Sequence, residues 1–215
     1  MISKLSPLCR RLAPAILCCT ALMLARHALA QSAPMEHSTM HHDHTAMMAS
    51  TLKRSEANYR IPALAQLRQD GNKVSFPADL DDGRVVLLQF IYTSCTAICP
   101  VTTQMFSQVQ DKLGRDAAKL HMLSISIDPE YDTPARLAAY AKKYAAGAQW
   151  QFYTGTQEAS VSLQRAFDAY RGDKMNHAPV TYLRAAPGKP WVRLDGLGSA
   201  DEIVKEYRSL ASTKG

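Results

Sequence analysis

A strongly apolar strand that leads directly into two cysteines and a helix is the feature that most constrains this chain. Residues 85–92 read VVLLQFIY, a continuous apolar run typical of a strand that is buried on both faces. Cys95 and Cys99 follow, and a helix is predicted over residues 100–113, because Pro100 is tolerated in a first turn. The junction therefore predicts two thiols at the N-terminus of a helix, at the end of a buried strand.

The rest of the chain alternates strands with helices. Turns are expected at Asp70-Gly71 and Asp82-Gly83 in an antiparallel lead-in, and at Pro187-Gly188 in a hairpin. Further strands are predicted over 120–127, 150–153, 180–183 and 191–194. Further helices are predicted over 133–144, 157–170 and 199–212, opened by Thr133-Pro134, by Thr156 and by a capping box of Ser199 with Glu202. This layout predicts an α/β, thioredoxin-like fold: a central mixed β-sheet flanked by helices, with an N-terminal β-hairpin extension.

Residues 1–30 have the layout of a secretory signal peptide. Residues 12–25 form a short apolar run, and Ala28-Leu29-Ala30 supplies the small residues that precede cleavage before Gln31. The basic region ahead of the run consists of Lys4, Arg10 and Arg11. We therefore expect export to the periplasm.

There are two alternatives to a cleaved signal peptide: an uncleaved membrane anchor and a lipidated cysteine. The apolar run of about 14 residues is shorter than the roughly 20 needed to span a bilayer, so an uncleaved anchor in the inner membrane is the less favoured reading. Lipidation at Cys18 is disfavoured because Leu17 is too bulky for the position before a lipidated cysteine. A membrane contact is expected only if the segment stays uncleaved.

The positive charge of the chain is concentrated in this leader. The formal net charge is +6, from 25 basic and 19 acidic residues. Residues 1–30 hold four basic residues and no acidic one, so their removal leaves 21 against 19, or +2. No basic stripe survives, which excludes a nucleic-acid partner.

Cleavage of the leader also reduces the number of cysteines that have to be interpreted. Cys9, Cys18 and Cys19 lie in the leader, which leaves Cys95 and Cys99 as the thiols of the mature chain. Two nearby thiols in an oxidising compartment form a disulfide, cycle as a redox pair or bind a metal. A disulfide that closes so small a loop adds little stability, whereas a helix N-terminus favours thiolates. Redox cycling and metal binding therefore stay open.

Residues 31–58 are predicted to be a flexible tail, followed by a folded domain over residues 59–215. The tail lacks apolar periodicity but is rich in methionine and histidine. Imidazole suits Cu(II) and thioether sulfur suits Cu(I), so the tail is a candidate for auxiliary copper capture. Alternatively it is a low-complexity linker that binds copper, zinc or nickel adventitiously. The candidate ligands are Met35, His37, Met40, His41, His42, His44, Met47 and Met48.

Two histidines fall in the domain. His177 lies just before the predicted strand 180–183 and is the best candidate for a nitrogen ligand, since Cu(I) accepts two thiolates whereas Cu(II) also needs nitrogen or oxygen donors. His121 falls inside the predicted strand 120–127 and is interpreted as an ordinary, partly buried histidine.

Three motifs resemble those of the Sco family, thioredoxin-fold copper chaperones that help to assemble the CuA centre of cytochrome c oxidase. Residues 90–100, FIYTSCTAICP, resemble the family's F-x-Y-T-x-C-x-x-x-C-P. Residues 126–134, SIDPEYDTP, resemble S-x-D-P-x-x-D-T-P, and residues 177–183, HAPVTYL, resemble H-x-x-x-x-Y-L. The resemblance covers nearly the whole mature domain.

The resemblance implies copper, as Cu(I) or Cu(II), bound by Cys95, Cys99 and His177. Its implied partner is a cytochrome c oxidase subunit or another copper-accepting protein, and we expect a monomer. Asp128 and Asp132 would lie on a loop near the site, with Asp132 capping a helix or positioning a neighbour.

Two residues depart from the family pattern or add to it. The family commonly has an acid before its histidine, where this chain has Asn176. Pro179 resembles the cis-proline of thioredoxin-like reductases, and the alternative is a trans-proline in an ordinary loop.

Two functions follow, and they are compatible. The first is an exported copper chaperone. The second is a thiol–disulfide oxidoreductase that reduces cysteines of an exported partner, in which Cys95 attacks and Cys99 resolves the mixed disulfide. Whether the chain is an enzyme is left open. A peroxidase is disfavoured, because the threonine-rich surroundings of a peroxidatic cysteine are not matched.

Overall fold

A computed structural model describes residues 52–213, and in this range eight strands form one mixed sheet. The predicted signal peptide and the Met/His candidates of the tail lie outside the described residues. The strands are β1 Lys53–Ala57, β2 Leu64–Arg68, β3 Lys73–Phe76, β4 Val85–Ile91, β5 Leu120–Ser126, β6 Trp150–Thr154, β7 Val180–Arg184 and β8 Trp191–Asp195. The helices are α1 Ile98–Leu113, α2 Pro134–Lys143, α3 Gln157–Ala166 and α4 Ala200–Ser212, with short 3₁₀ turns at Gly114–Lys119 and Lys174–Asn176.

The sheet order is β1-β8-β7-β4-β5-β6-β2-β3. Strands β4, β5 and β6 are parallel, whereas β7 runs antiparallel to β4 and pairs with β8 in the predicted hairpin. Strands β2 and β3 form the predicted N-terminal hairpin at one edge. The α/β fold with a central mixed sheet is thus confirmed. Within residues 52–213, no helix combines the length and apolar character needed to cross a membrane.

Strand β4 lies at the centre and every one of its side chains is buried. Neighbouring side chains of a strand point to opposite faces of the sheet. On one face Gln89 donates a hydrogen bond of 3.0 Å to the Ser124 hydroxyl, which also accepts from the Trp150 indole. On the other face Phe90 packs edge-on against Phe167, at the end of α3. Both faces are covered, which explains the lack of polar alternation in this strand.

The first strand lies inside the segment predicted to be tail. Residues 53–57 pair with β8 along five register positions, so the sheet begins at Lys53, ahead of the boundary predicted at Tyr59. The sequence of this strand, KRSEA, is polar and mostly exposed. An edge strand of this composition has no apolar periodicity that the sequence analysis detects.

Two further expectations are corrected. Helix α3 ends at Ala166 rather than at Tyr170, because the Tyr182 hydroxyl and the Arg193 guanidinium donate to the Phe167 carbonyl at its end. Among the described residues the cis peptide bond is Phe76–Pro77. The bond before Pro179 is therefore trans, and the cis alternative is wrong.

Candidate functional site

The two thiols lie where β4 passes into α1, as predicted. The N–H of Cys95 donates to the Tyr92 carbonyl at 3.1 Å, which folds the chain back after the strand. The first turn of α1 has no side-chain cap and no acidic residue. Instead, the N–H of Cys99 points to the Cys95 sulfur at 3.5 Å. The sulfur of Cys95 thus occupies the position of an N-terminal cap, next to the positive end of the helix dipole.

The two thiols differ in acidity. Burial raises the pKa of Cys95, but the backbone N–H groups of Cys99 and Ala97 outweigh burial and hold it below its ordinary value. Deeper burial raises the pKa of Cys99 to about 12. Cys95 is 8% exposed and Cys99 only 1%. This arrangement is typical of a dithiol with an outer nucleophile and an inner, protonated partner.

Asp132 supports the loop that carries the thiols. Its side chain is fully buried, and its carboxylate accepts from the Thr93 N–H at 3.1 Å, from the Thr93 hydroxyl and from the Ser126 hydroxyl at 2.6 Å. It thereby joins the residues that follow β4 to the end of β5. The helix-cap role predicted for Asp132 is wrong, because the side chain that caps α2 is that of Thr133. The positioning role is the one the contacts favour.

His177 stands on the neighbouring loop, three residues before β7. Its Nε2 lies 3.0 Å from the Phe90 carbonyl, and since a carbonyl only accepts, Nε2 carries the proton. Burial lowers the pKa of the ring, so the imidazole is neutral at neutral pH and Nδ1 keeps its lone pair. A backbone carbonyl bonded to the far ring nitrogen is the usual arrangement for a metal-ligating histidine.

The segment before His177 is tied to the ends of β4 and β5. Lys174 makes a 2.6 Å ion pair with Asp128, which follows β5. The Tyr92 hydroxyl lies 3.5 Å from the sulfur of Met175, and burial raises the pKa of Tyr92 to about 12, which keeps this donor protonated. Sequence reasoning missed Lys174 and Met175, since nothing local to them signals a contact with residues so distant in the chain.

The three predicted ligands are not gathered into one cluster. Cys95 and Cys99 adjoin each other, but within residues 52–213 no group of three or more histidine, cysteine or acidic side chains is close enough to hold a metal ion. The dithiol suits a soft ion such as Cu(I). His177 offers Nδ1 from the adjacent loop without joining the pair in this structure.

His121 takes no part in this site. It lies in β5 at 3% exposure, level with Val86 at the opposite end of the parallel strands. His121 is therefore more deeply buried than the partly buried histidine that was predicted.

An open groove leads from the surface to Cys95. Its floor and walls come from the cysteine loop, the start of α1, the loop after β5 and helix α2. The lining residues are Thr93, Cys95, Pro100, Tyr131, Arg136, Ala139, Tyr140 and Lys143. Cys95, and not Cys99, is therefore the thiol that the groove reaches.

Comparison with known proteins gives a consistent result. The SCO1/SenC family profile matches residues 53–212. A SCO1 protein homolog of Bacillus subtilis is 28% identical over 168 residues, which cover 73% of this chain and 86% of that protein. A solved structure of BsSco, described as a member of the Sco family of cytochrome c oxidase assembly proteins with a disulfide switch, is 30% identical, covers 74% of this chain and 96% of that one, and has a TM-score of 0.62.

A copper-bound structure is also among the similar folds. Arabidopsis thaliana ScoI with copper bound is 22% identical, covers 72% of this chain and 99% of that chain, and superposes with a TM-score of 0.60. At this identity the likeness concerns the fold.

Proposed function

The chain belongs to the SCO1/SenC family, and we propose that it is an exported copper chaperone that supplies copper during assembly of cytochrome c oxidase or a related copper enzyme. The observation that carries this proposal is the dithiol at the start of α1, beside a loop on which a neutral His177 keeps Nδ1 available. The predicted signal peptide supports export.

Copper is the cargo in this account, and Cys95, Cys99 and His177 are its proposed ligands. Two thiolates satisfy Cu(I), and an added imidazole makes the site acceptable to Cu(II). Loading has to displace the proton of Cys99, whose pKa is about 12, so apparent copper affinity should rise with pH. A third ligand on a separate loop suits a protein that must also release its metal.

The Met/His segment is proposed as an auxiliary capture site that raises the copper concentration near the domain. Its support is the residue bias alone, with thioether and imidazole donors intermixed over residues 35–48.

The decisive experiment compares Cu(II) affinity by chelator competition in the full chain and in His177→Ala. We expect at least tenfold weaker binding in the variant. Both proteins contain the tail, so copper bound by the tail contributes equally to the two measurements. His121→Gln serves as the control and should keep the wild-type affinity. Equal affinity in wild type and His177→Ala would remove His177 from the site.

A second function, reduction of a partner's disulfide, is favoured by the split in thiol acidity. The Cys95 thiolate attacks one sulfur of the target disulfide, which releases the other as a thiolate and leaves a mixed disulfide. Cys99 then gives up its proton and attacks Cys95, so that Cys95–Cys99 is oxidised and the target dithiol is reduced. One turnover needs no further reductant, and a reducing dithiol must regenerate the pair. If Cys95→Ser reduces a model protein disulfide as fast as wild type, this function is wrong.

A further inference from the structure

Four large apolar side chains are exposed among the described residues, and all four lie in segments that adjoin the end of the sheet that carries the dithiol. They are Val101 at the start of α1, Tyr131 after β5, Met175 before β7 and Leu197 after β8. Strand β7 is antiparallel to β4, and its first residue pairs with the last residue of β8. These four side chains therefore lie at the same end of the sheet as the dithiol.

The groove at Cys95 adds a charge to this surface. Its charged lining residues besides the thiol are Arg136 and Lys143, both on α2. No carboxylate lines it, and neither cation has an ion-pair partner within residues 52–213. The Arg136 guanidinium lies over the Tyr131 ring at 3.6 Å, which fixes the position of this exposed charge beside the groove.

Three acidic residues of this end face a different groove. Asp128, Glu130 and Asp173 line the neighbouring depression on the other side of the loop after β5. Glu130 and Tyr131 are adjacent in sequence, yet they belong to different grooves. The approach to Cys95 along α2 is thus cationic, whereas the neighbouring depression is lined by three carboxylates and by Lys174, which pairs with Asp128.

We propose that the Cys95 groove binds an acidic, extended segment of the partner protein and brings a cysteine of that segment to the Cys95 sulfur. Charge complementarity with Arg136 and Lys143 selects the segment, and the ring of Tyr131 offers it an apolar face. The proposal rests on the proposed function, in which this end of the sheet meets a cysteine-bearing partner. It adds the chemical class of the segment and the residues that recognise it.

The test measures how fast Cys95 reacts with peptides of different charge. Three peptides of equal length each carry one cysteine as a mixed disulfide with thionitrobenzoate, flanked by Glu, Gln or Lys residues. Attack by the Cys95 thiolate forms a Cys95–peptide disulfide and releases coloured thionitrobenzoate. Each rate is divided by the rate with a small neutral activated disulfide, which corrects for any change in the reactivity of Cys95 itself.

For the full-length chain at low salt, we expect the acidic peptide to react about tenfold faster than the basic one, with the neutral peptide between. Arg136→Gln/Lys143→Gln should bring the three rates to within about twofold of one another. The matched control, Arg115→Gln/Lys119→Gln, removes one arginine and one lysine from the exposed turn before β5, and it should keep the preference.

Equal corrected rates for the three peptides in wild type would overturn the proposal. So would loss of the preference in the control double variant, because the effect would then come from net charge and not from the groove. Copper binding by the same samples reports the proposed function separately: the groove variant should bind copper as wild type does, and a wild type without copper affinity would contradict the chaperone role while leaving the peptide preference intact.

Discussion

Charged side chains are arranged differently at the two ends of the parallel strands β4 and β5. At the amino end, Arg84 forms an ion pair with Asp82, and Arg184 pairs with Asp81. The imidazole of His121 is buried beside the same Asp82, with Nδ1 3.1 Å from a carboxylate oxygen but without the alignment of a hydrogen bond. The charged side chains at this end are thus mainly paired with one another.

At the carboxyl end, reactive groups are kept available. The Cys95 sulfur caps a helix, Nδ1 of His177 is left with its lone pair, and two cations line a groove. The polar network that supports this end is buried beneath it, at Asp132. The comparison indicates that charged groups pair with one another at the amino end, whereas at the carboxyl end a buried network supports the side chains that we propose contact a metal and a partner.

The largest expected effect concerns the two thiols of the carboxyl end. Since the pKa of Cys95 is lowered and that of Cys99 raised to about 12, Cys95 should hold by far the larger thiolate fraction near neutral pH. Iodoacetamide at pH 7.5 should therefore modify Cys95 first, and Cys99 in a Cys95→Ser variant should react at least 100-fold more slowly. Peptide mapping by mass spectrometry measures both rates. Similar rates for the two thiols would remove the distinction between outer nucleophile and inner partner.

The second effect compares a buried with a half-exposed carboxylate. Asp132→Ala leaves the Thr93 N–H and two hydroxyls without their acceptor, and should lower the free energy of unfolding by about 3 kcal/mol. Asp82→Ala, at the amino end, removes a partly solvated ion pair and should cost about 1 kcal/mol or less. Urea denaturation of both variants gives the values. An Asp82 variant as unstable as the Asp132 variant would show that the two ends do not differ in this respect.

The smallest effect is a pH dependence from the amino end. Burial lowers the pKa of His121, so between its folded-state pKa and its ordinary value near 6.5 the unfolded chain binds the extra proton. Stability contributed by the neutral ring is therefore present above about pH 6.5 and is lost as pH falls through the folded-state pKa. Wild type should lose about 1 kcal/mol more than His121→Gln between pH 7.5 and pH 5, measured by urea midpoints. Parallel losses would exclude His121 as the source.

Features encoded by neighbouring residues could be predicted from the sequence. The buried strand β4, the cysteines at the start of α1 and the capping box of Ser199 with Glu202 all lie within a few residues of their signals. Strand β1 could not be predicted, because a polar edge strand has no alternation of apolar and polar residues. The same holds for contacts between distant segments: the ion pair of Lys174 with Asp128 spans 46 positions, and the bond of His177 to the Phe90 carbonyl spans 87.

The most direct test of the central claim is the copper retained by the full chain against a competing Cu(I) chelator under anaerobic, reducing conditions. Wild type is compared with Cys95→Ser/Cys99→Ser, so that copper held by the Met/His segment is common to both. The account predicts that wild type retains about one tightly bound equivalent more than the variant, since two thiolates are the donors that Cu(I) prefers. Equal retention by the two proteins would contradict a copper site at the carboxyl end of the sheet.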